Sequence, residues 1–409
     1  MLSYIMKKEH LFVRVAIGFG LGILLGFVLP NFSLNTQFVG NIYLKLVKMM
    51  IIPIVFCAVC GGIANISDPS TLKRIGFKTV MLYVIMFILS SITSLAVAYT
   101  IRPGLGVSFE TTPTYEGMVN TPTVSSFFDN IFTDNIIMSA ANGNTLPVIL
   151  FTIVFAIAIV SCGKKAQPVL EFVNGLSSVC FKMLGFIMEL SPIGVCSLMS
   201  YSLAAYGAGI FTALGKYVFT CYLACIITYI FVMFLPVVLY GKLSPKKFLK
   251  GCAQVAMVSL STTSSAATLP TSINVSVNEF KAPESITKFT LPLGCTINMC
   301  GGACSFCCLA VFVSDFYSLN LGFSTIVFLI LVATLLNMAA PGIPGGGIVL
   351  GVSFLSILGL PFDLMGPISA FYRLLDMAFT TVNVEGDVAA NLIIARSERE
   401  WIGSSISNM

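Results

Sequence analysis

The chain has 409 residues, of which 57% are hydrophobic and 10% charged, with a mean hydropathy of +0.96. That composition excludes a water-soluble globule and predicts an all-α polytopic membrane protein. The net charge of +5 is not a nucleic-acid signature, because the basic residues gather in short connections between apolar runs.

Eight runs, each about 18 residues or longer, are long enough to span a bilayer. They lie near 11–30, 40–64, 76–101, 145–162, 168–203, 211–240, 285–314 and 364–395. Lys7 and Lys8 precede the first run, which is too long for a signal-peptide core and lacks a small-x-small cleavage site, so it reads as an uncleaved span. If the spans alternate, the later basic clusters share one side: Lys73, Arg74 and Lys78; Lys164 and Lys165; Lys242, Lys246, Lys247 and Lys250; Arg396 and Arg399. By the positive-inside rule that side is cytoplasmic, which places both termini inside a multi-pass cell-membrane protein. The stretch 103–143, rich in Thr, Asn and Ser, with Glu110, Glu116, Asp129 and Asp134 as its charges, falls outside.

Two further apolar stretches are broken at their middles and read as re-entrant helical hairpins. The first, 253–277, breaks within 259–270 (SLSTTSSAATLP), where hydroxyls can satisfy freed backbone groups. The second, 326–358, breaks within 340–347 (APGIPGGG), where Gly and Pro leave amides and carbonyls bare. Such backbone is tolerated at membrane depth where it lines a wet cavity, and half-helix ends there present dipoles to ions and carboxylates. Each hairpin precedes a full span with Asn-x-x-Gly, at Asn298 to Gly301 and at Asn383 to Gly386, which points to inverted repeats. Entry of the first hairpin from the cytoplasm and the second from outside would give two gates and alternating access.

In the last span Asp376, Thr380, Asn383 and Asp387 return to within about 40° of one face. A carboxylate at the centre of a membrane helix costs roughly 2.5–3.5 kcal/mol on insertion scales, so this face needs a cation or a charged substrate as partner. A purely structural reading, with Gly and Pro as ordinary membrane-helix residues and Ser and Thr as interhelical glue, does not explain two broken hairpins beside a polar stripe. The thirteen cysteines lie almost wholly within predicted spans and describe packing, not a disulfide framework. Cys57 and Cys60 form a lone CxxC; Cys300, Cys304 and Cys308 form a helical stripe that packing explains better than a soft metal does. His10, the single histidine, leaves no His-based catalysis.

LKLVKMMIIPIVF at 44–56, SPIGV at 191–195, SSAATLP, TLPLGCTINM at 290–299, GIPGGG and NVEGD, in this order, resemble segments of the dicarboxylate/amino acid:cation symporter family, the glutamate-transporter fold. The resemblance covers nearly the whole chain. It implies an elevator-type homotrimer, not an enzyme. Residues 1–75 would hold scaffold spans 1 and 2, 76–102 transport-domain span 3, 103–143 an extracellular loop, and 144–208 scaffold spans 4 and 5. Residues 209–409 would hold span 6, the first hairpin, span 7, the second hairpin, span 8 and a cytoplasmic tail.

The resemblance also implies a substrate site. Asp376 would take an ammonium, Asn383 and the Ser264–Ser265 tip a carboxylate, and the backbone near Ile343 and Gly345 would close over the cargo, with Thr380 on the same face. It implies a cation site of Asp387 with carbonyls near Gly294, Asn298 and Asn383, suited to sodium, and a second site at the outer hairpin with Thr296. No organic cofactor is implied. The departures bear on cargo. Phe379 stands where acidic-substrate members carry an arginine and cannot pair with a side-chain carboxylate. Gly302 stands where many members have threonine. Cys300, Met86 and Phe87 replace the family's aspartate and hydroxyl ligands, so one cation site is expected to be missing. The expected function is symport of a cation, sodium first, with a small neutral amino acid.

The alternative is a C4-dicarboxylate or acidic amino acid symporter, sodium or proton coupled, with Arg373 pairing the substrate. A passive anion channel and a membrane thiol enzyme are more distant alternatives. Arg373, about 60° from Asp376, is first read as its salt-bridge partner or that of a hairpin residue. Glu385 could carry a proton, but lies about 180° from the Asp376 face, so an interhelical contact is the first reading. Lys45 and Lys48 are expected to reach headgroups or water.

Overall fold

The computed structural model describes residues 11–64, 72–105, 132–338 and 346–398, and among these every regular element is helical. Five helical runs among them are long and apolar enough to cross a membrane: Pro30–Gly61, Arg74–Ile101, Leu146–Glu189, Gly209–Leu239 and Glu284–Phe316. Val13–Val28, Phe323–Met338 and Gly347–Ile357 are shorter apolar helices. The predicted eighth span is one helix of 33 residues, Met365–Ser397. Its Arg373, Asp376, Asn383, Glu385 and Asp387 set it apart from the apolar five.

Three predicted spans are corrected, the second, 40–64, being two helices that meet at Met50, Gln37–Met49 and Ile51–Ala64. The fifth, 168–203, is two helices that meet at Leu190, Gln167–Glu189 and Ser191–Tyr206. Pro192 explains the joint, since proline lacks an N–H and favours a first helical turn over an interior. The seventh, 285–314, is not a full helix. Glu284–Ile297 ends at Asn298, and a new helix runs from Cys300 to Phe316.

The helices pack in two groups. In the first, Gly18, Gly22 and Gly26 of Leu11–Val28 face Pro192, Cys196 and Leu203 in matching order, so the two helices run parallel. A Cβ on Gly22 would come within 2.6 Å of the Cys196 carbonyl oxygen. Small residues therefore set this close approach. Arg14 pairs with Glu189 at 2.6 Å in the same group, and Ile51–Ala64 packs on Thr145–Cys162 and Gln167–Glu189.

In the second group Phe77–Ile101 packs on Gly209–Thr228 and Cys300–Phe316, and Met365–Ser397 packs on Pro245–Thr262, Glu284–Ile297 and Cys300–Phe316. Ion pairs tie its ends together. Arg102 holds the buried Asp315 at 2.7 Å, and Glu398 pairs with both Arg74 and Lys78. The groups meet where Ser191–Tyr206 touches Met365–Ser397, with Leu198 against Gly366. Lys45 is exposed, as expected, whereas Lys48 lies over the Phe362 ring at 3.3 Å. An aromatic face offers the ammonium a closer partner than solvent does.

Candidate functional site

The first hairpin turns within two residues. Thr263 adopts a left-handed φ of 48° and closes Pro245–Thr262 by bonding the Ser259 carbonyl at 2.8 Å. Ser264 is extended and caps the return helix, its Oγ accepting from the Ala267 N–H at 3.3 Å. An N-cap serine must turn its hydroxyl back onto its own helix. Thr263 and Ser265 therefore face the cavity described below, and Ser264 does not line it. The Ser259 and Thr381 hydroxyls, 2.9 Å apart, fasten this hairpin to the last helix.

At the broken seventh segment, Asn298 and Met299 take ψ values of 101° and 57°, outside the helix. Asn298 closes the preceding helix through its N–H to the Gly294 carbonyl at 2.7 Å. Its amide Nδ2 donates to Asp387 Oδ1 at 2.8 Å and to the Asn383 carbonyl at 3.3 Å. In return, Asn383 Oδ1 accepts from the Gly301 N–H at 2.7 Å, while Asn383 Nδ2 meets Met299 Sδ at 3.2 Å. Each asparagine thus serves backbone of the other's segment, which is how a break at depth stays hydrogen-bonded.

Beside this knot lies a cavity of about 50 Å³. Of the residues expected to hold substrate, Ser265, Asp376, Phe379, Thr380 and Asn383 line it, together with Gly302. Thr380 Oγ1 lies 3.4 Å from Asp376 Oδ1 and donates to it. Ile343 and Gly345, and with them the outer hairpin's carbonyls, lie outside the described residues. Thr263, Met299, Ser305, Asn337 and Tyr372 also line the cavity and were not singled out from sequence. Asn337 and Tyr372 carried a readable signal, since a lone amide in an apolar helix, or a tyrosine one turn before Asp376, is a polar group placed at depth.

Asp376 is the charged side chain on the cavity wall among the described residues. Phe379 is buried there, with its backbone against Gly301. Arg373, expected to pair with Asp376 or a hairpin residue, forms no ion pair among the described residues and does not line the cavity. The three-residue spacing permits such a pair but does not by itself form one.

Of the expected cation ligands, Gly294, Asn298, Asn383 and Asp387 converge. The space over Gly294 is bounded by Asp387 Oδ1 and the Tyr83 hydroxyl, which donates to the Thr290 carbonyl at 3.1 Å. A carboxylate, backbone carbonyls and a hydroxyl form an oxygen-only donor set that fits a hard cation. Thr296 stands apart: it is exposed, and its hydroxyl donates to Leu293 of its own helix at 2.8 Å. Cys300, Met86 and Phe87 are buried, and Cys300 Sγ donates to Asn298 Oδ1 at 3.0 Å. Glu385 is buried on another face, toward Tyr229 and Cys252.

A cavity with polar side chains on its wall, and a buried carboxylate bonded to the broken segment beside it, inside an apolar helical shell, fit a membrane transporter for a small solute. The chain belongs to the sodium:dicarboxylate symporter family, whose profile matches residues 11–397. It is 30% identical to a proton/sodium-glutamate symport protein of Geobacillus stearothermophilus, over 97% of this chain and 96% of that one. It is 28% identical to a C4-dicarboxylate transport protein of Rhizobium johnstonii, over 96% of this chain and 89% of the relative. With C4-dicarboxylate transport protein 2 of Mesorhizobium japonicum it shares 30% identity over 96% and 90% of the two chains.

Proposed function

We propose that this protein is a secondary symporter that couples a cation, sodium or proton, to inward movement of a small carboxylate-bearing solute. The observation that carries the reading is the convergence of Asp376, Thr380 and Asn383 on one cavity, with Asn383 joined through Asn298 to Asp387. The cargo would rest against the hydroxyls of Thr263 and Ser265, and the cation against Asp387 and the carbonyls near Gly294 and Asn383. In this reading the two hairpins gate the cavity, the helices packed around Met365–Ser397 move as a transport domain, and the group around Leu11–Val28 forms the fixed scaffold of a trimer with both termini inside.

Two cargo readings stand, each with its own support. The relatives are named for glutamate and C4-dicarboxylates, so the comparisons favour the acidic cargo, the alternative to the neutral amino acid expected from Phe379. The cavity wall supports a neutral amino acid instead: it presents Asp376 to an ammonium and Phe379 where a second carboxylate would need a cation. Uptake into proteoliposomes, driven in turn by a sodium and a proton gradient, tests both. Gradient-dependent uptake of any member of a panel of alanine, serine, leucine, glutamate and succinate is the result expected of a symporter. Uptake that survives collapse of both gradients contradicts coupling, and glutamate outcompeting the neutral amino acids selects the acidic cargo.

A further inference from the structure

Asn337 is a buried cavity side chain to which neither the cation site nor the carboxylate site gives a task. It sits at the end of Phe323–Met338 and is 1% exposed. Its Nδ2 donates to the Ala333 carbonyl at 2.6 Å, which fixes the amide's orientation, since only the nitrogen can donate. The opposite atom, Oδ1, is buried and accepts no hydrogen bond from the described residues. It lies over Gly302, where any Cβ would collide with it. The glycine is therefore what gives the amide oxygen its place.

The neighbouring glycine faces elsewhere. Gly301 abuts the backbone of Phe379. The start of Cys300–Phe316 thus stands between two walls, with Asp376 and Phe379 on one and Asn337 on the other. A cargo ammonium satisfies the first wall. The second offers a lone carbonyl oxygen, which a methyl group leaves unsatisfied and a carboxylate meets with repulsion.

We infer that Asn337 is a specificity-determining residue that accepts a hydrogen bond from a hydroxyl or carboxamide on the cargo's side chain. The cargo is then a polar, neutral α-amino acid. This rests on the symport reading and deepens its neutral branch. A site built to receive a hydrogen bond rejects the isostere that lacks it far more strongly than an apolar pocket rejects an extra methylene.

The test is thermal stabilisation of the purified full-length protein in sodium, with two isosteric pairs: serine against 2-aminobutyrate, and threonine against valine. The wild type is expected to prefer the hydroxyl-bearing member by about tenfold or more. In Asn337→Ala, and independently in Gly302→Ala, which displaces the amide, that ratio should fall to within about twofold. Alanine, which has no side-chain donor, should still stabilise Asn337→Ala and so report that it is folded. An unchanged ratio in both variants overturns the assignment, as does a wild type that binds glutamate or succinate more tightly than serine and threonine, and either result leaves symport standing. If no amino acid and no dicarboxylate stabilises the wild type with sodium or at low pH, the symport reading itself fails and takes this inference with it.

Discussion

Asn298 and Asn383 occupy matching Asn-x-x-Gly segments, yet the chain unwinds at the first and runs as unbroken helix through the second. The difference lies in what precedes and surrounds each. Pro292, inside Glu284–Ile297, disturbs only the turn before it, and the helix runs on to Ile297, so the break is set further along. Gly301 and Gly302 then let the next helix start against the Phe379 backbone and the Asn337 side chain. Before Asn383 the long helix has no proline from Ile368 on. The broken segment therefore supplies bare backbone and the continuous one a rigid row of side chains. A hard cation takes oxygen ligands, whereas a substrate needs donors and acceptors at fixed separation, and under the proposed function the two segments would divide those tasks.

The largest effect that would sharpen this contrast is at Asp387, the carboxylate to which the broken segment is tied. Asp387→Asn should weaken apparent cation affinity by about ten- to hundredfold, the range for losing charge-assisted contacts, while cargo selectivity stays as in the wild type; sodium titrations of uptake check it. Asn298→Ala comes next. It strips the buried carboxylate and the Asn383 carbonyl of their shared donor, and should cost about 1–3 kcal/mol of stability, read as a lowered melting temperature in detergent.

Gly301→Ala would push a methyl into the backbone of Phe379. Overpacking of this kind costs about 1–3 kcal/mol, and the loss should appear more in cargo affinity than in cation affinity. The smallest effect is at Thr296, whose exposed hydroxyl serves its own helix. Thr296→Val should change stability by no more than about 0.5 kcal/mol and leave the sodium titration where it was. A marked shift there would mean that the broken segment contributes a second ligand from its exposed side.

Much of this was legible in the sequence because membrane depth makes polar residues conspicuous. Asp376, Thr380 and Asn383 declared themselves by helical spacing and do line one cavity. The turn of the first hairpin lies inside the Ser- and Thr-rich stretch read as its break. The unwinding at Asn298 is not legible from periodicity, which does not register a two-residue interruption; Asn298 followed by Gly301 and Gly302 is the available signal. Ser264 and Thr296 went elsewhere for local reasons, an N-cap and a bond within the helix, that outweigh any pull from the site. Asn337 carries a signal of its own, a lone amide in an apolar helix, but its seat over Gly302, thirty-five positions earlier in the chain, is set by the fold and has no mark in local sequence.

Asn298 bonds both the Asn383 carbonyl and Asp387, and under the proposed function that link would tie the cargo cavity to the cation site. The direct measurement is cargo affinity at saturating sodium and without sodium, in the wild type and in Asn298→Ala. Energetic coupling between two sites commonly amounts to about 5- to 150-fold. The prediction is a sodium-dependent gain of that order in the wild type that falls close to onefold in the variant; an equal gain in both proteins would contradict it.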